Sequence, residues 1–161
     1  MKKKDALIDP TGKYRYWLLR QWNNKPGNFV NFVMLNPSKA DAEVDDNTIR
    51  RCVKYAKKWG FDGIYVTNLF AFRATDPKCI KKASDPIGKE NNKYIKLIAK
   101  KSKLIVLAWS NHGSFMQRDM AAIKILSGIH PLRCLGTNKS GQPKHPLRLN
   151  KNLNPVRYKY K

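Results

Sequence analysis

The feature of this sequence that most limits its fold is the regular alternation of short apolar segments with longer amphipathic ones. Four segments are apolar almost throughout, which is typical of strands buried on both faces of a sheet: 29–35, 63–70, 104–109 and 132–136. Between them lie segments with apolar residues at helical spacing, at 47–60, 89–101 and 114–127. This alternation of strand and helix favours a parallel sheet with helices on both faces.

We therefore predict one α/β domain over residues 1–161, a three-layer α/β/α sandwich with a mainly parallel central sheet. The aromatic segment 14–22 alternates in part between apolar and polar residues, which predicts a first strand. An edge position in the sheet would suit this strand. Residues 1–12 either join the domain or form a flexible basic arm. The tail 154–161 either adds a last strand or hangs free.

The charge of the chain is strongly positive. Its 161 residues include 33 Lys or Arg against 11 Asp or Glu, a formal net charge of +22. Because the excess positive charges repel one another in a compact protein, they indicate a polyanionic partner. A nucleic acid is favoured over a membrane surface as that partner. The alternative is that the many lysines reflect genome composition and solubility alone.

The cysteines and the apolar runs bear on the compartment. The three cysteines, Cys52, Cys79 and Cys134, are odd in number and form no CxxC pair, which favours a reducing compartment. No apolar run approaches the length of a membrane span. We expect a cytoplasmic monomer without a membrane partner.

Asparagines and histidines follow the predicted strands. In an open α/β sheet, ligands bind beyond the carboxyl ends of the strands. Four such exits each carry an asparagine, and two of them also carry a histidine; these residues are Asn36, Asn68, Asn111, Asn138, His112 and His145. We expect polar groups from these exits to converge at one rim, although each asparagine alone is equally suited to a turn or a helix cap.

Several common motifs of catalysis and nucleotide binding are missing. The chain contains no GxxxxGK[ST] phosphate loop, no GxGxxG fingerprint, no GxSxG elbow and no HExxH pair. The acidic cluster at Asp41, Glu43, Asp45 and Asp46 has no calcium-loop spacing. It either holds Mg²⁺ or places Asp45 and Asp46 at the positive end of the helix that follows, with one of them as its cap.

Three motifs resemble those of a known superfamily. "MLNPSKAD", "VTNLFAFRATDP" and "PKHPLRL" resemble, in order and spacing, motifs of the uracil-DNA glycosylase superfamily. Through "MLNPS", "DDNT", "NLFAFRAT" and "HPL" the whole sequence also resembles an uncharacterised family of bacterial and phage proteins, a domain of unknown function. The chain departs from the superfamily at Leu35, Ser38 and Leu147, where a small residue, a glycine and a serine are usual.

The superfamily resemblance implies a uracil-DNA glycosylase-like fold and an enzyme that excises a damaged or modified base from DNA without cofactor or metal. Under it, Asn36 positions the attacking water, Asp41 or Asp45 supplies a carboxylate instead, and His145 donates to the departing base. Asn68 reads the base edge, and Phe70 or Phe72 stacks on the base. The remaining implied contacts are Ser38, Asn111 and His112 to the substrate; Arg73, Lys39, Lys144 and Arg148 to phosphates; and Leu147 or Leu149 as a wedge.

Three alternatives remain open at this point. The departures at the motif positions favour a nucleic-acid-binding protein of the same fold without catalysis. A Mg²⁺-dependent nucleotide-processing enzyme would use Asp41, Asp45 and Asp46, and a phage protein could bind an acidic host surface. The sequence does not choose the base, nor between DNA, RNA and free nucleotide.

Overall fold

The computed structural model describes residues 1–160 and has a mixed α/β fold. Within these residues one seven-stranded sheet is accompanied by three α-helices and two 3-10 helices. Lys161, the last residue of the predicted tail, lies outside the described residues. The strands are β1 (Lys3–Ile8), β2 (Arg15–Gln21), β3 (Phe29–Met34), β4 (Gly63–Asn68), β5 (Leu104–Leu107), β6 (Leu132–Cys134) and β7 (Val156–Arg157); the helices are α1 (Asn47–Lys58), α2 (Asn91–Lys101) and α3 (Arg118–Leu126), with 3-10 turns at Pro77–Lys81 and Asn111–Gln117.

The sheet is parallel at its centre and antiparallel toward its edges. Its strand order is β1-β2-β4-β3-β5-β6-β7. The four central strands β4, β3, β5 and β6 are parallel, as the alternation of strands and helices predicted. The pairings β1–β2, β2–β4 and β6–β7 are antiparallel, so the sheet is mixed rather than mainly parallel throughout.

The first residues form a strand instead of a flexible arm. β1 pairs with β2 from Lys3 opposite Gln21 to Ile8 opposite Arg15. A tight turn at residues 9–14 joins them, because the Asp9 carboxylate accepts hydrogen bonds from the Thr11 hydroxyl and the Tyr14 backbone N–H. As a result β2 lies inside the sheet rather than at its edge.

The two faces of the sheet are covered by different helices. Val30, Phe32 and Met34 pack in one buried cluster with Ile49, Cys52 and Ala56 of α1. Val33 and Leu35 pack in another with Ile95 of α2 and Ile123 of α3. Because successive residues of a strand point to opposite faces, α1 covers one face of the sheet, and α2 and α3 cover the other.

Helix boundaries follow local chemistry. Asp46 caps α1 by accepting a hydrogen bond from the Ile49 backbone N–H at 2.9 Å, and Gly60 follows the helix with a φ of +83°. The helix expected over 114–127 begins at Arg118. Phe115 and Met116 have non-helical backbone angles, with Met116 at φ 54°, and this break separates the 3-10 turn from α3.

No helix within residues 1–160 is long and apolar enough to cross a lipid bilayer. All three cysteines are free thiols, of which Cys52 and Cys134 are buried and Cys79 is exposed.

Candidate active site

A cleft of about 530 Å³ opens at the carboxyl ends of the four parallel strands. Each of these strands, or the loop that follows it, contributes at least one wall residue, and the amino end of α1 closes one side. This is the position at which open α/β sheets bind ligands. The polar side chains that line the cleft are Arg15, Asn36, Ser38, Lys39, Asp46, Asn47, Thr48, Asn68, Thr75, Ser110, His112 and His145.

Asn36 follows β3 and connects two loops at the cleft. Its Nδ2 donates hydrogen bonds to the backbone oxygens of Ala74, at 2.8 Å, and Pro37, at 3.1 Å. The Ala74 backbone N–H in turn donates to the Pro37 oxygen at 2.9 Å. Because the nitrogen is engaged by the protein, the atom that Asn36 offers to a ligand is Oδ1.

Asn68 ends the neighbouring strand β4 and is held by a buried arginine. Arg15 is only 2% exposed; it donates to Asn68 Oδ1 at 3.4 Å and to the Ala40 backbone oxygen at 2.9 Å. Burial lowers the pKa of Arg15 to about 10, against the opposing effect of Asp46. Since its oxygen is occupied, Asn68 offers the cleft its Nδ2 donor.

His145 enters the cleft from the loop after β6. Backbone hydrogen bonds from Lys144 to Gly136 and from Ser110 to Pro143, both 2.9 Å long, fix this loop beside β5. The Leu147 backbone N–H donates to His145 Nδ1 at 3.2 Å, which places the proton of the neutral ring on Nε2. Burial lowers the pKa of His145, partly offset by the charge of Asp46, so the ring favours its neutral form.

The carboxylate in the cleft belongs to Asp46. The sequence suggested Asp41 or Asp45 for this position, but neither lines the cleft. Asp41 Oδ1 closes a turn by accepting from the backbone N–H groups of Glu43 and Val44, and Asp45 pairs with Arg20 at 2.6 Å. Both carboxylates are therefore engaged by other groups of the protein outside the cleft lining.

Asp41, Asp45 and Asp46 therefore have separate structural contacts and do not form one site. Within residues 1–160 no group of three or more His, Cys, Asp or Glu side chains has an arrangement that could hold a metal ion. The expected helix cap is Asp46, whereas Asp41 and Asp45 serve a turn and an ion pair.

The aromatic residues expected to stack on a base lie elsewhere. Phe70 is fully buried and packs on Phe115, with ring centres 5.7 Å apart. Phe72 packs edge-on against Tyr14 at 5.9 Å. Neither lines the cleft, because β4 ends at Asn68 and the following residues turn into the core and toward the β1–β2 turn.

Of the residues assigned to substrate contacts, Ser38 and His112 line the cleft and Asn111 does not. The Asn111 side-chain oxygen accepts hydrogen bonds from Asn138 at 3.1 Å and Ser140 at 2.6 Å, which join two loops. Asn111 and Asn138 are thus turn-stabilising residues, the alternative that the sequence left open for each asparagine.

Among the cations assigned to phosphates, only Lys39 lines the cleft, where it is exposed. Arg73 donates to the Gly12 backbone oxygen at 3.3 Å, and Lys144 and Arg148 lie outside the lining. Leu147 does line the cleft, whereas Leu149 packs against the cluster beneath α1.

Sequence reasoning missed two notable residues of the cleft. Arg15 gave a weak signal, a charge within an aromatic segment otherwise fit for burial. Ser110 stands two residues before His112 in the same strand exit, but no third residue of a catalytic triad accompanies the two in the sequence. Its backbone has a strained φ of 65° and ψ of −165° directly after buried Trp109. Gly113 permits this turn, since a Cβ there would lie 2.1 Å from the Trp109 ring.

The fold and the cleft define an α/β sheet protein with a pocket, lined by apolar and polar side chains, at the carboxyl ends of its parallel strands. The family model described as "Protein of unknown function (DUF1643)" matches residues 15–147, and the chain belongs to this family. This confirms the expected membership in a family of unknown function. No curated protein and no solved structure matches the chain. The matched residues begin at cleft residue Arg15 and end at cleft residue Leu147.

Proposed function

We propose that the protein is a DNA base glycosylase-like enzyme that excises a damaged or modified base in this cleft. A three-layer sandwich of the uracil-DNA glycosylase kind is part of the proposal. One observation carries it: an imidazole that presents Nε2–H and an asparagine that presents Oδ1 line the same pocket of about 530 Å³.

The reaction breaks the bond between the sugar C1′ and the base nitrogen. The bonding electrons leave with the base, so positive charge develops on the sugar and negative charge on the base. Water adds its oxygen to C1′ and loses a proton, and the base gains one. Groups fixed in advance near both developing charges lower the barrier to this step.

Asn36 suits the water-binding role. Its Nδ2 is tied to Ala74 and Pro37, which fixes the direction of Oδ1 as an acceptor for a water proton. An amide accepts a hydrogen bond but is no true base. Asp46 is the carboxylate that accompanies it in the cleft, taking the part first suggested for Asp41 or Asp45.

His145 suits the opposite end of the scissile bond. Its Nε2–H is a neutral donor for a base oxygen that gains negative charge. Its lowered pKa keeps the ring neutral near pH 7. A neutral imidazole stabilises the leaving base without adding a charge that would have to be desolvated.

Asn68 suits recognition of the base edge. Arg15 holds its oxygen, so a donor remains for the ligand, and this favours a base with a carbonyl oxygen at that edge. Uracil and hypoxanthine both satisfy this requirement. Arg15 is thus a positioning residue for the recognition group.

DNA is the favoured substrate, handled by a cytoplasmic monomer. A base inside a duplex is out of reach, so it must be flipped into the cleft. The net charge of +22 supplies attraction to phosphates, with Lys39 at the cleft wall and Arg148 on the exposed loop after His145. Leu147, at the cleft lining, is the candidate wedge into the space that the base leaves.

A nucleic-acid binder without catalysis is the second candidate. The position of Phe70 and Phe72 outside the cleft favours it, because no ring from either is available to stack on a flipped base. The two functions predict the same salt-sensitive binding and differ only in base release.

A single-turnover assay with oligonucleotides that contain uracil, hypoxanthine or an alkylated base, run with and without EDTA, tests the proposal. We expect EDTA-insensitive release of at least one base, and His145→Ala should slow it about 10²- to 10³-fold. The matched control is His130→Ala, because His130 Nε2 bonds the Ser102 backbone oxygen at the other end of the sheet. Retained binding without any release would instead support the binder.

A further inference from the structure

A second cavity, of about 490 Å³, lies beside the β1–β2 turn and shares no lining residue with the cleft. We call it the tyrosine pocket. Its apolar lining comes from Leu7, Ile8 and Pro10, and three tyrosine rings complete its walls: Tyr14, Tyr16 and Tyr94. A volume of this size is ordinary for a small-molecule site.

The three rings form one connected aromatic surface. Tyr14 and Tyr16 lie parallel with ring centres 6.4 Å apart, and Tyr16 and Tyr94 are tilted at 5.4 Å. The Tyr14 hydroxyl donates to the Asp85 backbone oxygen at 2.7 Å, which fixes that ring in place. The negative faces of aromatic rings attract cations.

The tyrosine pocket is locally acidic in a basic protein. Three of the eleven Asp and Glu carboxylates, those of Asp9, Asp85 and Glu90, line it, with Lys89 as the one lysine or arginine of the lining. Lys93, outside the lining, pairs with Glu90 at 3.4 Å. Burial raises the pKa of Tyr16, and the charges of Asp9, Glu90 and Asp85 also act to raise it, so all three reach the rings. The lining residues therefore carry more negative than positive charge, in contrast to the chain as a whole.

We propose that the tyrosine pocket binds an organic cation, an alkylated ammonium group carried by a small molecule or by a modified lysine side chain. Two features favour such a ligand over a bare metal ion: the aromatic walls and the apolar floor. The Tyr94 ring already lies near one ammonium that comes from outside the pocket lining, since Lys93 Nζ is 5.3 Å from the ring centre. The inference is independent of base excision.

Titration of the full-length protein with choline, followed by calorimetry or by amide NMR shifts, tests the proposal. The comparison ligand is 3,3-dimethyl-1-butanol, a neutral molecule of the same shape. We expect choline to bind at least about fivefold more tightly than the alcohol. Equal binding of the two would overturn the proposal.

Variants locate the site. Tyr94→Leu should weaken choline binding about fivefold or more, whereas Tyr94→Phe keeps the ring and should preserve it. Glu90→Gln should also weaken binding; it breaks the exposed pair with Lys93 but no helix-cap hydrogen bond, because the Glu90 side chain makes none. Tyr160→Leu, at an exposed ring outside the pocket, is the control. Unchanged choline affinity in Tyr94→Leu contradicts the proposal.

A short peptide with one trimethyllysine distinguishes the sources of the cation. Binding of the peptide at least tenfold tighter than choline assigns the pocket to a modified protein partner. Affinity equal to or below that of choline assigns it to a small molecule. A control peptide with alanine in place of the trimethyllysine should not bind in either case.

Discussion

The Leu147 backbone N–H donates a hydrogen bond of 3.2 Å to the Nδ1 atom of His145. This contact links two cleft residues on either side of Pro146, and it determines which ring nitrogen carries the proton. The tautomer with Nε2–H is the one that the proposed role of His145 uses. Imidazole ¹⁵N chemical shifts should therefore show a protonated Nε2 and an unprotonated Nδ1 for His145 at pH 7.

The lowered pKa of His145 should make the stability of the folded protein depend on pH. Because burial lowers this pKa below the usual 6.5, the unfolded chain binds the proton more readily than the folded protein. The stability that the neutral ring contributes is complete above pH 6.5 and is lost as the pH falls below it. We expect His145→Gln to reduce the fall in unfolding free energy between pH 7.5 and 5.5, measured by urea denaturation. An equal fall in the wild type and in His145→Gln would contradict the assignment.

Lys39 should contribute a phosphate contact at the mouth of the cleft. Lys39→Ala is expected to weaken DNA binding at low salt and to reduce the slope of log K against log salt by about 1. Lys96→Ala changes an exposed lysine of α2, away from the cleft, and serves as the matched loss of charge. Identical slopes for the two variants would argue against a phosphate at Lys39.

The Arg20–Asp45 ion pair should stabilise the segment that precedes α1. Arg20 is fully buried, bonds Asp45 at 2.6 Å and also donates to the Asp41 backbone oxygen at 2.6 Å. Asp45→Asn leaves a buried cation without its counterion, so we expect a loss of about 3 kcal/mol in unfolding free energy. Glu90→Gln breaks the exposed pair with Lys93 and should change stability little. Similar losses in both variants would contradict the assignment.

Gly113 should tolerate no side chain. A Cβ at Gly113 would lie 2.1 Å from the Trp109 ring, whereas a Cβ at Gly128 would meet nothing within 4 Å. We expect Gly113→Ala to cost about 2 kcal/mol or more, because the Trp109 ring also donates to Gln142 at 2.8 Å and has little freedom to move. Gly128→Ala is the control and should unfold at nearly the wild-type temperature.

The periodic part of the fold was predictable from the sequence. The strands at 29–34 and 63–68 and helix α1 carry strong apolar patterns, and their boundaries lie within two residues of those expected. β1 was missed because its exposed lysines resemble a disordered arm, whereas its pairing with β2 is a contact between distant residues. The late start of α3 depends on backbone angles at Phe115 and Met116, which no composition rule reveals.

The site was predictable in outline but not in detail. Asn36, Asn68, His112 and His145 follow from the rule that strand ends meet at one rim, and all four line the cleft. The acidic cluster was ambiguous because adjacent aspartates point in different directions, so that Asp46 enters the cleft while Asp45 meets Arg20. The sequence expected one of Phe70 and Phe72 to face the core but did not say which, because burial of an aromatic residue in "NLFAF" depends on where the strand ends; the structure buries Phe70 and has neither ring in the cleft lining.

The three free cysteines differ in solvent exposure, and this difference has a practical use. Burial raises the pKa of the Cys52 and Cys134 thiols, whereas Cys79 is exposed in the 3-10 turn Pro77–Lys81, whose first residue lines the cleft. A maleimide dye should therefore attach to Cys79 alone, which mass spectrometry after tryptic digestion checks. The natural chain thus carries its own attachment point for a fluorophore at the lip of the cleft, so that arrival of a ligand can be followed optically without any engineered thiol.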